Sequence, residues 1–169
     1  VKNYNLASVC DWNFTDLVNW YIKGNTDKYT TSIDTTTKYS GSSSLKISPN
    51  GSTGTDSITI TSIIGRSISV YEGQKLTIAF KLNIPTALVG TGISLSIQGY
   101  AGYDQGKVFD NIVIPPATEA TNGWVTKSIE FVVPNRVYNI YPVFNAQFTS
   151  GDAYIDMLEV IPSDQEKLL

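Results

Sequence analysis

The sequence predicts an all-β fold, an antiparallel β-sandwich of the jelly-roll kind. Three observations carry that prediction. Apolar and polar residues alternate with period two in a series of short runs, turn-forming residues separate the runs, and no segment keeps a 3.6-residue apolar period over the roughly ten residues a helix needs.

The runs follow one another along the chain. SSLKI at 43–47 is a plausible strand within a stretch, 34–56, rich in Ser, Thr and Gly. SITITS at 57–62 alternates small polar residues with Ile. KLTIAFKLN at 75–83 sets Leu76, Ile78, Phe80 and Leu82 on one face and Lys75, Thr77, Ala79, Lys81 and Asn83 on the other. ISLSIQGY at 93–100 sets Ile93, Leu95 and Ile97 against Ser94, Ser96, Gln98 and Tyr100. WVTKSIEFVV at 124–133, VYNIYPVFNAQ at 137–147 and AYIDMLEVI at 153–161 complete the set. Asn50-Gly51, Glu72-Gly73, Asn122-Gly123 and Ser150-Gly151-Asp152 supply turns. Pro85, Pro115-Pro116, Pro134 and Pro162 are read as run ends, because proline has no N–H to give a ladder. DWNFTDLVNWYI hints at a helical period, but its aromatic residues suit a strand and loop equally well.

With 169 residues and 41% hydrophobic side chains, the chain is long enough to bury one core. One domain is expected over 1–162, and SDQEKLL at 163–169 reads as a tail or linker. The net charge is −3 and the pI about 4.8. The 12 basic residues are scattered, so nothing favours nucleic acid as a partner. No apolar run approaches the roughly 20 residues of a membrane span. The opening VKNYNLASV lacks a signal-peptide pattern, which leaves a cleaved signal, a fragment or another export route.

Cys10 is the single cysteine, so an intrachain disulfide is impossible; beside Trp12 it reads as a small buried hydrophobe. The absence of histidine removes Ser-His-Asp and Cys-His catalysis and His-based zinc sites. Glycoside hydrolysis by acid-base chemistry needs two facing carboxylates. Asp104, Asp110, Glu119, Glu130 and Asp156 are available, but nothing in the sequence pairs them, and no enzyme is expected.

Four fragments, in order, resemble jelly-roll carbohydrate-binding modules. They are NLASVCDWNF with a following NW (5–14 and 19–20), SIDTTTKYSGSSSLKI (32–47), GWVTKSIEFVVP (123–134) and the closing AYIDMLEV (153–160). The resemblance implies a non-catalytic module that binds a cell-surface or cell-wall polysaccharide or oligosaccharide. Such modules sit on secreted glycoside hydrolases and on phage tail or baseplate proteins that adhere to a host. Expected partners are therefore glycan and other domains or subunits of a larger assembly, outside the cell or on a virion. The alternative is a structural protein-binding domain of a viral tail or baseplate, which would show an exposed apolar patch instead of an aromatic-and-amide cleft.

A sugar site joins an aromatic platform, for the C–H face of the ring, to amides and other groups that bond its hydroxyls. The stretch QGYAGYDQGK offers Gln98, Tyr100, Tyr103 and Asp104, with Gln105 and Lys107 after them. Tyr141, Asn145 and Gln147 share a parity and are expected beside Lys81, Asn83, Gln98 and Tyr100 on one concave sheet face. Trp20, with Tyr21, reads as a loop mouth that touches sugar.

The resemblance also implies one structural Ca²⁺. Carried over by position, its ligands are Thr15, oxygens near Ser40 and Ser43, and Asp156. The acid usual after the early aromatic is missing, since Thr15 follows Phe14, although Asp11 and Asp16 stand near. Alternation places Tyr154, Asp156, Leu158 and Val160 on one, otherwise apolar, face. A carboxylate buried there needs a partner. That partner is a metal, a set of backbone N–H groups or a cation.

Overall fold

The computed structural model describes residues 14, 17, 20–62, 68–101 and 106–163. Cys10, Asp11, Trp12, Thr15, Asp16, Tyr103, Asp104 and Gln105, and the tail beyond Ser163, lie outside the described residues.

The alternating runs become strands with side chains divided between core and surface. In chain order these are β1 (Trp20–Gly24), β2 (Tyr29–Asp34), β3 (Ser44–Pro49), β4 (Ile58–Ser62), β5 (Ile68–Ser69), β6 (Lys75–Asn83), β7 (Val89–Tyr100), β8 (Lys107–Ala117), β9 (Val125–Val132), β10 (Asn139–Ser150) and β11 (Ala153–Pro162). Two antiparallel sheets form. One runs β1-β4-β10-β7-β8, with β5 added to β10, and the other runs β2-β3-β11-β6-β9. We call them the first and second sheets.

Their inner faces make one core. Ile58, Ile60, Leu95, Ile97, Phe144 and Phe148 of the first sheet face Leu45, Ile78, Phe80, Leu82 and Ile155 of the second. Phe80 and Phe144 meet edge to face across the interior, centroids 5.1 Å apart. Loss of either ring would cost about 3–5 kcal/mol in lost burial and residual cavity.

Two expectations change here. Pro115-Pro116 lie inside β8 and do not end a run. That strand is the edge of its sheet, where a missing N–H breaks no second ladder. The parity of β11 also changes. Its register against β6 shifts between Asp156 and Glu159, and Met157 has φ +47°. The extra residue of this β-bulge swaps the faces beyond it. Ala153, Ile155, Leu158 and Val160 join the core, while Tyr154 and Asp156 lie opposite the outward Asn83 and Lys81. Asp156 therefore does not share a face with Leu158 and Val160.

Irregularities in β7 set the edge beside β8. A Cβ on Gly92, whose φ is +103°, would stand 2.2 Å from the Ala117 carbonyl oxygen, so only glycine fits that close approach. At the other end of the chain, Ser163 is drawn into the fold: its N–H donates to the Lys75 carbonyl at 3.0 Å.

Candidate functional site

The two outer faces differ in charge. The three central strands of the first sheet, ITITS of β4, VGTGISLSIQGY of β7 and NIYPVFNAQFTS of β10, contain no Asp, Glu, Lys or Arg. Each strand of the second sheet carries at least one.

The neutral face is built by register. Tyr141 lies opposite Gln98, Val143 opposite Ser96, and Asn145 opposite Ser94. On the other side of β10, Val143 and Asn145 face Thr61 and Thr59. Those threonines pair in turn with Tyr21 and Lys23 of β1. Because Ile58, Ile60, Leu95, Ile97, Ile140 and Phe144 point inward, this whole set points outward. The rings of Tyr100 and Tyr141 stand edge to face, centroids 5.2 Å apart and planes at 83°. Tyr21 is half exposed, with the Lys23 ammonium 4.9 Å from its ring centre.

The polar groups of this face are loosely engaged. The Tyr100 hydroxyl donates to Gln98 Oε1 at 3.2 Å, and Asn145 Nδ2 reaches Ser96 Oγ and the Val143 carbonyl at 3.3 Å each. Thr61 Oγ1 donates to the Pro142 carbonyl at 3.2 Å. Bonds of this length lie at the weak end of the range, and ligand hydroxyls can replace them. Lys107, paired with Tyr100 in the ladder, is held by Asp110 at 2.8 Å. The hydrogen bond that Lys107 donates to that carboxylate raises the pKa of its ammonium above the ordinary value.

Of the residues predicted for sugar contact, Gln98, Tyr100, Tyr141 and Asn145 come together here. Gln147 shares the face, but its amide is spent on the fold. Oε1 accepts the Thr91 N–H and Nε2 donates to the Gly54 carbonyl, both at 2.7 Å. Lys81 and Asn83 are not on this face. They point outward from β6 in the second sheet, because alternation identifies a face of a strand but not the sheet to which the strand belongs. Trp20 is no loop mouth either. It is 9% exposed, stacked on Phe14 at 4.8 Å and tilted against Phe144 at 6.2 Å, so its indole packs in the core. Thr59, Thr61, Ser94 and Ser96 join the face as well, and the Ile and Leu alternation around them marks the same outward parity. A separate cleft of about 740 Å³ runs where β8 meets β9, lined by 114–121 and 125–128; of the predicted residues, Lys81 reaches its lining at Thr126.

The residues matched to a calcium site are arranged around N–H groups. Asp156 is fully buried, and its Oδ2 accepts the backbone N–H groups of Tyr39 (2.9 Å) and Ser40 (3.1 Å). Its Oδ1 accepts the N–H of Met157 at 2.8 Å. Ser43 is buried and donates its hydroxyl to the Phe14 carbonyl at 2.7 Å. Ser40 thus meets Asp156 through its backbone N–H. Among the described residues no group of three or more His, Cys, Asp or Glu side chains gathers. Thr15, the remaining member of the set, lies outside the described residues.

No protein-family model matches the sequence, and no curated protein matches it. Solved structures do resemble it. The enzymatically active domain of bacteriophage CBA120 tailspike protein 4 aligns at TM-score 0.65 and 21% identity over 95% of this chain, which spans 22% of that domain's chain. The C-terminal family 22 carbohydrate binding module of Clostridium thermocellum Xyn10B aligns at TM-score 0.61 and 17% identity, covering 96% of this chain and 98% of that one. A family 16 carbohydrate binding module aligns at TM-score 0.58 and 16% identity over 82% and 89% of the two chains. The fold is that of the carbohydrate-binding-module β-sandwiches.

Proposed function

We propose that this chain is a non-catalytic carbohydrate-binding domain and that a neutral stretch of polysaccharide lies across β4, β10 and β7 of the first sheet. The observation that carries this reading is an outer face with no charged residue on its central strands and with the Tyr100–Tyr141 pair set among amides and hydroxyls. A face that is merely solvated is usually rich in Lys and Glu. Uncharged polar groups beside aromatic rings suit pyranoses, whose C–H faces are apolar and whose hydroxyls need directed partners. The face also lacks the two carboxylates of a glycosidase on its central strands.

Two likenesses support a place for such a domain. The xylanase-borne family 22 module is about its size, and the tailspike domain contains a similar fold within a longer chain. We place it as an adhesion module at a virion surface or on a secreted glycoside hydrolase. Affinity per site is weak, because desolvation of hydroxyls offsets much of the hydrogen-bond gain, and avidity comes from repeated copies. Binding to an array of neutral cell-wall and capsular glycans tests the reading. Wild type binds at least one class, and Tyr141→Ala reduces that binding about tenfold or more, some 1.4 kcal/mol. Absence of binding across the array, or indifference to Tyr141→Ala, would sink it.

A further inference from the structure

The second sheet presents a different arrangement. The loop between β2 and β3 carries Tyr39, 48% exposed, over the outer face of β6. Its ring meets Trp124 edge to face, with centroids 6.2 Å apart and planes at 68°. Lys81 Nζ stands 4.6 Å above the Tyr39 ring and donates to Thr126 Oγ1 at 2.5 Å. The ion pairs among the described residues are Lys75–Glu130 and Lys107–Asp110, so Lys81 is in neither. Asp156, opposite Lys81 in the ladder, turns its oxygens to the N–H groups of Tyr39, Ser40 and Met157.

Burying a carboxylate to hold the backbone beneath an exposed ring is a structural expense that core packing does not explain. The N–H bonds of Tyr39 and Ser40 to Asp156 fix the backbone there, Trp124 and Lys81 set the ring, and fixing a contact group in advance lowers the entropic cost of binding. The corner then offers two aromatic rings inclined at 68° and one ammonium over the Tyr39 ring.

From this corner we infer a second carbohydrate site, formed by Tyr39, Trp124 and Lys81, for a sugar that bears a carboxylate. The pyranose packs its C–H face on the aromatic corner, and its carboxylate accepts a charge-assisted hydrogen bond from Lys81. The neutral face of the first sheet has no such cation on its central strands. One module would thus read uncharged and acidic units on opposite sides. This inference stands apart from the reading of the neutral face.

Calorimetric titration with homotrimers of galacturonate, mannuronate and guluronate, each as free acid and as methyl ester, tests it. At least one free acid is expected to bind about tenfold tighter than its ester, the worth of one charge-assisted hydrogen bond. Lys81→Gln removes that preference, and Tyr39→Ala, which keeps the backbone bond to Asp156, lowers acid affinity by a similar factor. Tyr141→Ala leaves the preference in place. Equal binding of acid and ester, no binding of any acid, or a preference that survives Lys81→Gln would overturn the site. A preference lost in Tyr141→Ala would move it to the neutral face, and loss of neutral-glycan binding alone would leave it standing. Equal urea midpoints for the variants show that each is folded.

Discussion

Asp156 and Tyr39, far apart in sequence, are joined at 2.9 Å by a buried carboxylate oxygen accepting a backbone N–H. With Ser40 and Met157, three N–H groups converge on one side chain that is fully buried. Asp156→Ala would leave those three partly buried donors without their acceptor. A loss of about 3–5 kcal/mol in urea unfolding is expected. A loss below about 1 kcal/mol would show that water or another group takes over the donors.

The same geometry bears on calcium. Since the Asp156 oxygens accept N–H groups, chelation is expected to leave the melting temperature unchanged within about 1 °C, because a ligand that does not bind the native state adds no stability. A fall of several degrees in EDTA, restored by added Ca²⁺, would place a cation at the opening strand and Asp156 after all.

Asp34 supplies a pH dependence. Its Oδ1 accepts the Thr37 N–H at 2.7 Å and the Thr36 N–H and hydroxyl at 2.9 Å each. These bonds, the one from Thr37 foremost, hold its carboxyl below the ordinary value of 3.8 against a smaller opposing effect of burial. A folded-state value lowered in this way adds stability that is fully present above the ordinary value and lost as pH falls through the folded one. The stability difference between wild type and Asp34→Ala should therefore be constant above about pH 5 and shrink below it. The group is largely solvated, so the difference should stay under about 1 kcal/mol.

Tyr29 ties the sheets together. Its hydroxyl donates to the Asp56 carbonyl at 2.6 Å and accepts the Phe148 N–H at 3.1 Å, so a residue of β2 reaches β10 across the sandwich. Tyr29→Phe keeps the ring contact with Phe148 and leaves that N–H unpaired. A cost of about 1–3 kcal/mol is expected, read as a lower urea midpoint with unchanged slope.

Much of this fold was legible from alternation. β6 has the predicted bounds, and β11 runs one residue past the predicted end. β8 was not, because Pro115-Pro116 look like a stop until the strand is known to lie at a sheet edge. The face of Asp156 was misassigned because a bulge at Met157 is a backbone choice that periodicity does not reveal. The candidate site followed the same rule. Gln98, Tyr100, Tyr141 and Asn145 share a face because β7 and β10 are neighbours and keep their register there. Lys81 and Asn83 have the same outward parity, but strand pairing assigns them to the other sheet. Trp20 begins a strand whose first residue points inward, and an aromatic residue at a strand start gives no sign of that in sequence.

The most direct test is nuclear magnetic resonance with ring-labelled tyrosine, titrated with a neutral oligosaccharide taken from the glycan class retained on the array. The signals of Tyr100 and Tyr141 should shift together and saturably, while those of Tyr39 and Tyr154 on the opposite side of the sandwich stay in place. Saturable shifts at Tyr39 and Tyr154, with Tyr100 and Tyr141 unmoved, would contradict the assignment of the neutral face as the glycan site.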